Sequence, residues 1–381
     1  MEDRLPYNFD KKDIMTSKHY PEFNDILEQE HYAPSISLIF PFNTKLGLGE
    51  EIHHKLKTKV IEVERLLAEK YPADQINNLL VRFRHLVDHF QPEKGHLGIA
   101  LFLSPVFEKI VYLDFEPQEK LIIDDNFEIR DLLINKNKLN KLILLLLSGN
   151  EIRYYLADRG VVTRLKVDVS DQIETFMANT LHDVSIYYEK TDRKDKAMHV
   201  FLRNADEGLN LVLKDYPYPV VVAGVEKMLS HFKLVTKHTE LIKDYIGGNY
   251  LESIPSELSQ LVQSSIENIQ NRKEEHLIIL VEEALNKNML ARGITEVWKQ
   301  ATEKNGHLLV VEHNFRSVAG QGSEPDSIFT LALDKVPFPI QDVVDDIIEK
   351  VILNGGKVEF VRDGKLGKYS RVALITHYRW N

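Results

Sequence analysis

His85 and His89 stand four residues apart with Asp88 beside them. That is about one helical turn, a separation at which two imidazoles can reach one zinc ion. No glutamate follows the first histidine and no third ligand is evident, so the pair reads as a solvated helix face and no metal is expected. His53 and His54 are adjacent and leave a helix in different directions, which disfavours joint ligation. Gly355-Gly356-Lys357 has the residue types of a phosphate loop, but such a loop follows a strand and opens a helix. Here a helical pattern precedes and a strand pattern follows, so the glycines read as a helix C-terminal cap. The segment 189–203 carries Lys190, Arg193, Lys194, Lys196 and Arg203 against Glu189, Asp192 and Asp195, a net of +2. Such cations can contact phosphates, and Tyr187 and Tyr188 before them can stack on bases. A solvated charge run and ordinary core packing explain the same residues equally well. There is no dinucleotide-binding fingerprint and no nucleophile elbow.

Composition narrows the classes. The chain has 381 residues, a length that suits two or three domains, and 43% of them are hydrophobic, enough to build real cores. Cysteine is absent, which excludes disulfides, thiolate nucleophiles and cysteine-ligated zinc. A formal net charge of −10 argues against broad, non-specific nucleic-acid binding, which needs a basic footprint. No DNA partner is expected. Between Gly356 and Asn381 the balance reverses: Lys357, Arg362, Lys365, Lys368, Arg371 and Arg379 face Glu359 and Asp363, a net of +4. A solvated strand edge is the reading given to them. The start, Met1 to Pro6, is polar and acidic rather than signal-like. The densest apolar run, Leu142–Leu147, is far short of the roughly 20 residues needed to cross a bilayer. A cytoplasmic protein without a membrane partner is expected.

The periodicity places elements around these residues. Ser35–Phe40 reads as a buried strand. Ile52, Leu56, Val60, Val63 and Leu67 step by four, four, three and four, one face of a helix. A second helix spans about 74–90, and strands follow at Leu97–Leu103 and Lys109–Phe115. Three strands come next, Leu142–Leu147, Glu151–Leu156 and Val161–Val167, joined by short turns and therefore antiparallel. A charged loop at Glu189–Lys196 leads into a helix ending at Lys214, then a strand at Pro219–Ala223. The long stretch Ser256–Asn286 carries Leu258, Leu261, Val262, Ser265 and Ile269 on one side and joins the last region. There a helix at Gly293–Glu303, strands at His307–Val311 and Ile328–Leu333, a helix at Asp342–Leu353 and strands at Lys357–Val361 and Val372–Tyr378 are expected.

Several segments, in this order, resemble the archaeal and eukaryotic peptide chain release factor subunit 1. They are Ser35-Ile36-Ser37-Leu38-Ile39-Phe40-Pro41, then Ala73-Asp74-Gln75-Ile76-Asn77-Asn78, then Ile110 to Pro117 followed by Asp124-Asp125-Asn126-Phe127. Val220 to Gly224 and the Tyr245-Ile246-Gly247-Gly248 turn continue the resemblance, as do Ala291 to Val297 and Asn354 to Phe360. Within that group the chain is similar to the bacterial archaeo-eukaryotic release-factor-like family. The resemblance implies an α/β (α+β) protein of three domains. These are a release-factor N-terminal-like mixed domain at 1–140, a ribonuclease-H-like middle domain at 141–275 and an L7Ae-like domain at 276–381.

The departures bear on activity. Release factors carry Gly-Gly-Gln in a middle-domain loop, where the glutamine places a water at the peptidyl-tRNA ester. No Gly-Gly-Gln occurs here, and the charged Asp183–Lys196 stands in that place. Gly247-Gly248-Asn249 lies too late, and Gly320-Gln321-Gly322 lies in the wrong domain. The family's codon-reading Asn-Ile-Lys-Ser aligns with Gln75-Ile76-Asn77-Asn78, keeping only the isoleucine. The resemblance therefore implies a non-catalytic, tRNA-mimicking, ribosome-associated factor acting on stalled or idle ribosomes, with no catalytic residue and no cofactor. Its RNA-binding candidates are Lys190, Arg193, Lys194, Lys196, Arg203, Asn77 and Asn78. Its expected partners are the ribosome or ribosomal RNA, and a protein docking on the third domain. The alternatives are a protein–protein interaction module and a metal-dependent nuclease. The last needs several carboxylates around two metals, which the strand residues do not supply.

Overall fold

The first strand sets the pattern of the N-terminal region. A four-residue helix, α1 (Asn24–Leu27), precedes β1 (Ser35–Pro41), which is buried along almost its whole length. Successive strand residues face opposite ways: Ile36, Leu38 and Phe40 enter one core and Ile39 another. Two helices, α2 (Gly49–Lys70) and α3 (Ala73–His89), part at Pro72, which caps α3. The five α2 residues of the expected stripe, Ile52 to Leu67, are all buried. Strands β2 (Gly98–Leu103), β3 (Glu108–Leu113) and β4 (Lys120–Asp124) complete an antiparallel sheet of order β3-β2-β1-β4. A short helix, α4 (Arg130–Lys136), follows.

The middle region is a five-stranded sheet between helices. Its elements are β5 (Lys141–Leu147), β6 (Ile152–Asp158), β7 (Val161–Leu165), α5 (Lys190–Asp215), β8 (Val220–Gly224), α6 (Glu226–Val235), β9 (Ile242–Gly247) and α7 (Pro255–Asn286). The strand order is β7-β6-β5-β8-β9, with β5, β8 and β9 parallel. A strand covered on both faces reads as a continuous apolar run, which explains the leucines of β5. Ile143, Leu145 and Leu147 pack with Phe201 and Leu202 of α5 and Phe232 of α6. Leu142, Leu144 and Leu146 pack with Leu258 and Val262 of α7. Gly224 ends β8 where a Cβ would lie 2.4 Å from the Leu147 carbonyl oxygen.

The last region holds β10 (Leu290–Arg292), α8 (Gly293–Thr302), β11 (Gly306–Glu312) and the short β12 (Ala319–Gln321), β13 (Ile328–Phe329) and β14 (Pro339–Ile340). Helix α9 (Val343–Leu353), β15 (Lys357–Val361) and β16 (Val372–Thr376) close it. The main sheet has the order β10-β16-β11-β15, and β11 and β15 are parallel. Asp342 caps α9, accepting from the Val344 N–H at 3.1 Å. At its other end Gly355 is at φ +80°, the Gly355 N–H donates to the Ile352 carbonyl and the Gly356 N–H to that of Val351. This is a Schellman cap, so Gly355-Gly356-Lys357 ends a helix and does not open one.

The structure, a computed structural model, describes residues 24–27, 33–42, 49–93, 95–136, 138–148, 151–167, 190–321, 328–329, 339–340 and 342–380. They form two compact units. One is Lys138–His276; the other joins the described residues before Lys138 to those from Leu277 onward. In the second unit a single core holds Ile39, Ala100, Phe102, Ile129 and Leu133 together with Ala291, Leu309, Val343, Ile347 and Phe360. The expected boundaries at 140/141 and 275/276 lie beside the changes of unit, and the division into three domains stays a proposal.

The α/β class is as expected; some local readings differ. The charged loop at Glu189–Lys196 is helical from Lys190, because the first two turns of α5 are polar and carry no apolar stripe to reveal them. Tyr245-Ile246-Gly247 lies in edge strand β9 and not in a turn, since pairing with β8 decides the conformation. The strand at Val161 stops at Leu165.

Candidate functional site

Asn77 and Asn78 lie in the first half of α3, between the buried Ile76 and Leu79. Both are exposed, so the 3.6-residue period that buries their neighbours presents them to solvent. His85 and His89 sit on the same helix with rings stacked 4.1 Å apart, and the His89 Nδ1 is 2.9 Å from the His85 carbonyl oxygen. Asp88 pairs instead with Lys57 at 3.3 Å. Among the described residues no group of three or more His, Asp or Glu side chains is disposed to hold a metal ion.

In the middle unit, Lys190, Arg193, Lys194, Lys196 and Arg203 share helix α5. Arg203 is exposed; the side chains of the other four, and Tyr187 and Tyr188, lie outside the described residues. Arg203 follows Phe201 and Leu202, both fully buried, so the core under α5 fixes the face on which it emerges. Asn77 and Asn78 belong to the other unit. Of the glycine-bearing tripeptides, Gly247 ends β9, and the Tyr250 hydroxyl donates to its carbonyl at 3.0 Å. Gly320 and Gln321 are in β12.

A cleft of about 420 Å³ opens beside β6 and β7, lined by Ile152, Arg153, Tyr154, Arg164, Leu165, Lys166 and Val167. Its arginines are tied to one carboxylate. Arg153 Nε and Nη2 donate to Glu151 at 2.7 and 2.8 Å, and Arg164 Nη2 does so at 3.1 Å. The hydrogen bonds from Arg153 hold the Glu151 carboxyl below its usual range. Periodicity missed this cluster because Arg153 and Arg164 stand on different strands.

Sequence reading also missed a network inside the second unit. Arg130, the first residue of α4, is 2% exposed. Its Nε donates to Asp345 Oδ1 at 2.6 Å, Nη1 to the Phe315 carbonyl at 2.7 Å and Nη2 to Asp342 Oδ2 at 3.0 Å. Arg316 adds contacts to Asp342 at 3.4 Å and Glu128 at 3.7 Å. Asn126 Nδ2 donates to Asp346 Oδ1 at 2.6 Å. Burial pushes the Asp345 carboxyl well up even though Arg130 opposes it. Burial also raises Asp346 to about 6, with the Asn126 hydrogen bond acting the other way. The partners of Arg130 and Asn126 lie 185 to 220 residues away in sequence, so no local spacing marks them. All three guanidinium nitrogens donate to residues from distant parts of the chain, which makes the network a clamp between chain segments.

Residues 143–305 match the model of bacterial archaeo-eukaryotic release factor family 3. Among solved structures, the archaeal translation termination factor aRF1 is 11% identical, with 96% of this chain and 99% of that one covered, at a TM-score of 0.25. Pelota of Archaeoglobus fulgidus is 14% identical, covering 74% and 80%, at 0.35. Dom34 of S. cerevisiae, a translation termination-like factor, is 12% identical, covering 74% and 81%, at 0.42. No curated protein matches the chain. The segment matched by the family model runs from β5 through α8 and takes in nearly the whole middle unit, so it is the middle of this chain that is similar to a bacterial archaeo-eukaryotic release factor.

Proposed function

We propose that the protein is a non-catalytic, tRNA-mimicking factor that associates with ribosomes, acting on stalled or idle ones. One observation carries the reading: the family match over residues 143–305 occurs in a chain with no Gly-Gly-Gln. Without that glutamine the chain has no group to hold a water against the peptidyl-tRNA ester, so binding leaves the nascent chain attached. The proposed division of labour follows the three segments. Asn77 and Asn78 of the first segment, and Lys190, Arg193, Lys194, Lys196 and Arg203 of the middle one, contact RNA. The third segment docks a protein partner.

Co-sedimentation of the full chain with purified ribosomes tests this. Pelleting with ribosomes in low salt, together with no release of peptide from a programmed complex, is expected. The acidic balance of −10 favours a second reading, a protein-interaction module with no ribosome role. Affinity capture that returns a protein partner free of ribosomal RNA would select it.

A further inference from the structure

The turn between β15 and β16 is a rigid platform for cations. Glu312, at the end of β11, is 1% exposed. Its Oε1 accepts from the Gly364 and Leu366 N–H groups, both at 2.9 Å, and its Oε2 accepts from Arg371 Nε at 2.7 Å. Leu366 and Tyr369 are buried against Leu277, Val281 and Ala284 of α7. The Arg371 guanidinium lies 4.9 Å from the centre of the Phe315 ring. Ser370 and Arg371 hold φ of +56° and +70°, a left-handed pair that non-glycine residues adopt only where the surroundings impose it.

The chain between these anchors winds in tight turns. The Lys365 N–H donates to the Arg362 carbonyl and the Tyr369 N–H to that of Leu366, and Gly367–Tyr369 is a 3₁₀ turn. Residues three apart eclipse in such turns. Hence Leu366 and Tyr369 point inward together, while Arg362, Lys365 and Lys368 are all exposed. Asp363, the one carboxylate within 362–371, is taken up by Asn314, through bonds of 3.1 and 2.7 Å, and by Arg371 at 3.5 Å. A Cβ on Gly364 or Gly367 would meet nothing within 4 Å, so a ligand can approach the backbone.

From this geometry we infer that the 362–368 turn is an RNA contact, with Lys365 and Lys368 binding successive backbone phosphates. Cations three residues apart in a 3₁₀-like turn repeat about every 6 Å, a spacing suited to the phosphates of a single strand. The anchored backbone needs no ordering on binding. The turn's two large apolar side chains, Leu366 and Tyr369, are buried, so it offers no anchor of the kind that carries a protein interface. The assignment deepens the ribosome reading and rests on it for its partner.

Full-length K365A/K368A is compared with K365R/K368R and wild type. Binding is measured on labelled oligouridine across a salt series and by co-sedimentation with ribosomes. Both lysines are exposed, so melting temperatures are expected to stay together, and the arginine variant controls for any fold change. The alanine variant should bind oligouridine roughly tenfold more weakly in low salt, with a salt slope smaller by about 1.4, and the arginine variant should bind as wild type. Unchanged affinity and slope overturn the assignment. Wild type and alanine variant pelleting equally with ribosomes also overturn it, and leave the ribosome reading standing. A wild type that neither pellets nor binds RNA removes both. Lysine-dependent capture of a protein that survives ribonuclease replaces RNA with an acidic protein partner and likewise overturns it.

Discussion

Arg130 shows how much one side chain can decide. A buried guanidinium is tolerated only when every donor is met and its charge is balanced. Asp342 and Asp345 balance the charge, and with the Phe315 carbonyl they give each of the three nitrogens an acceptor. Replacing it with methionine strips Asp345 of its hydrogen-bonded counter-ion and leaves Asp342 only the longer ion pair to Arg316, and should cost about 3–5 kcal/mol, read as a lower urea midpoint. Lysine should not rescue it, because a point charge cannot reproduce the forked geometry. Asp346 contributes the opposite way with pH. A carboxyl whose folded pKa lies above its unfolded value takes up a proton on folding, so its contribution is fully present below about pH 4 and is lost as pH rises through about 6. Asp346→Asn keeps an oxygen for Asn126. It should match wild type near pH 4 and exceed its stability by about 1–2 kcal/mol at pH 8, seen as melting curves that diverge between those values.

At the scale of elements, close approach matters most at the junction of β5 and β8. Gly224→Ala would drive a methyl into the Leu147 carbonyl, and should destabilise the middle unit by about 1–3 kcal/mol, measured by thermal unfolding. The elements best read from sequence are those whose burial has a clean period: the α2 stripe, the leucines of β5 and the Leu258–Val262 face of α7. The strands β4 and β9 escaped notice: they are half-buried along most of their length and show neither a continuous apolar run nor a clean alternation. Their conformation comes from pairing with β1 and β8 and not from local pattern. The start of α5 was hidden by its polar first turns. The exposure of Asn77 and Asn78 followed from the stripe of α3, whereas Glu312 and Arg130 carry no such mark. A buried charge looks in sequence like any surface charge until its distant partners are placed.

At the scale of the molecule, the shared core of the second unit has a direct consequence. Residues 277–381 expressed alone would expose the faces of Val343, Ile347 and Phe315 that meet Ile39, Phe102 and Leu133. They should aggregate or unfold without a sharp transition, while co-expression with residues 1–137 should yield a soluble, cooperatively melting complex. A monodisperse 277–381 fragment with a sharp melt would show that the core divides. The central claim concerns what the whole chain does with a ribosome. Its most direct measurement is sedimentation of the full-length protein through a sucrose cushion with stalled ribosomes carrying peptidyl-tRNA, scored for both pelleting and released peptide. Protein in the pellet with the peptide still on its tRNA is the predicted result. Protein left wholly in the supernatant, or peptide freed in proportion to added protein, would contradict it.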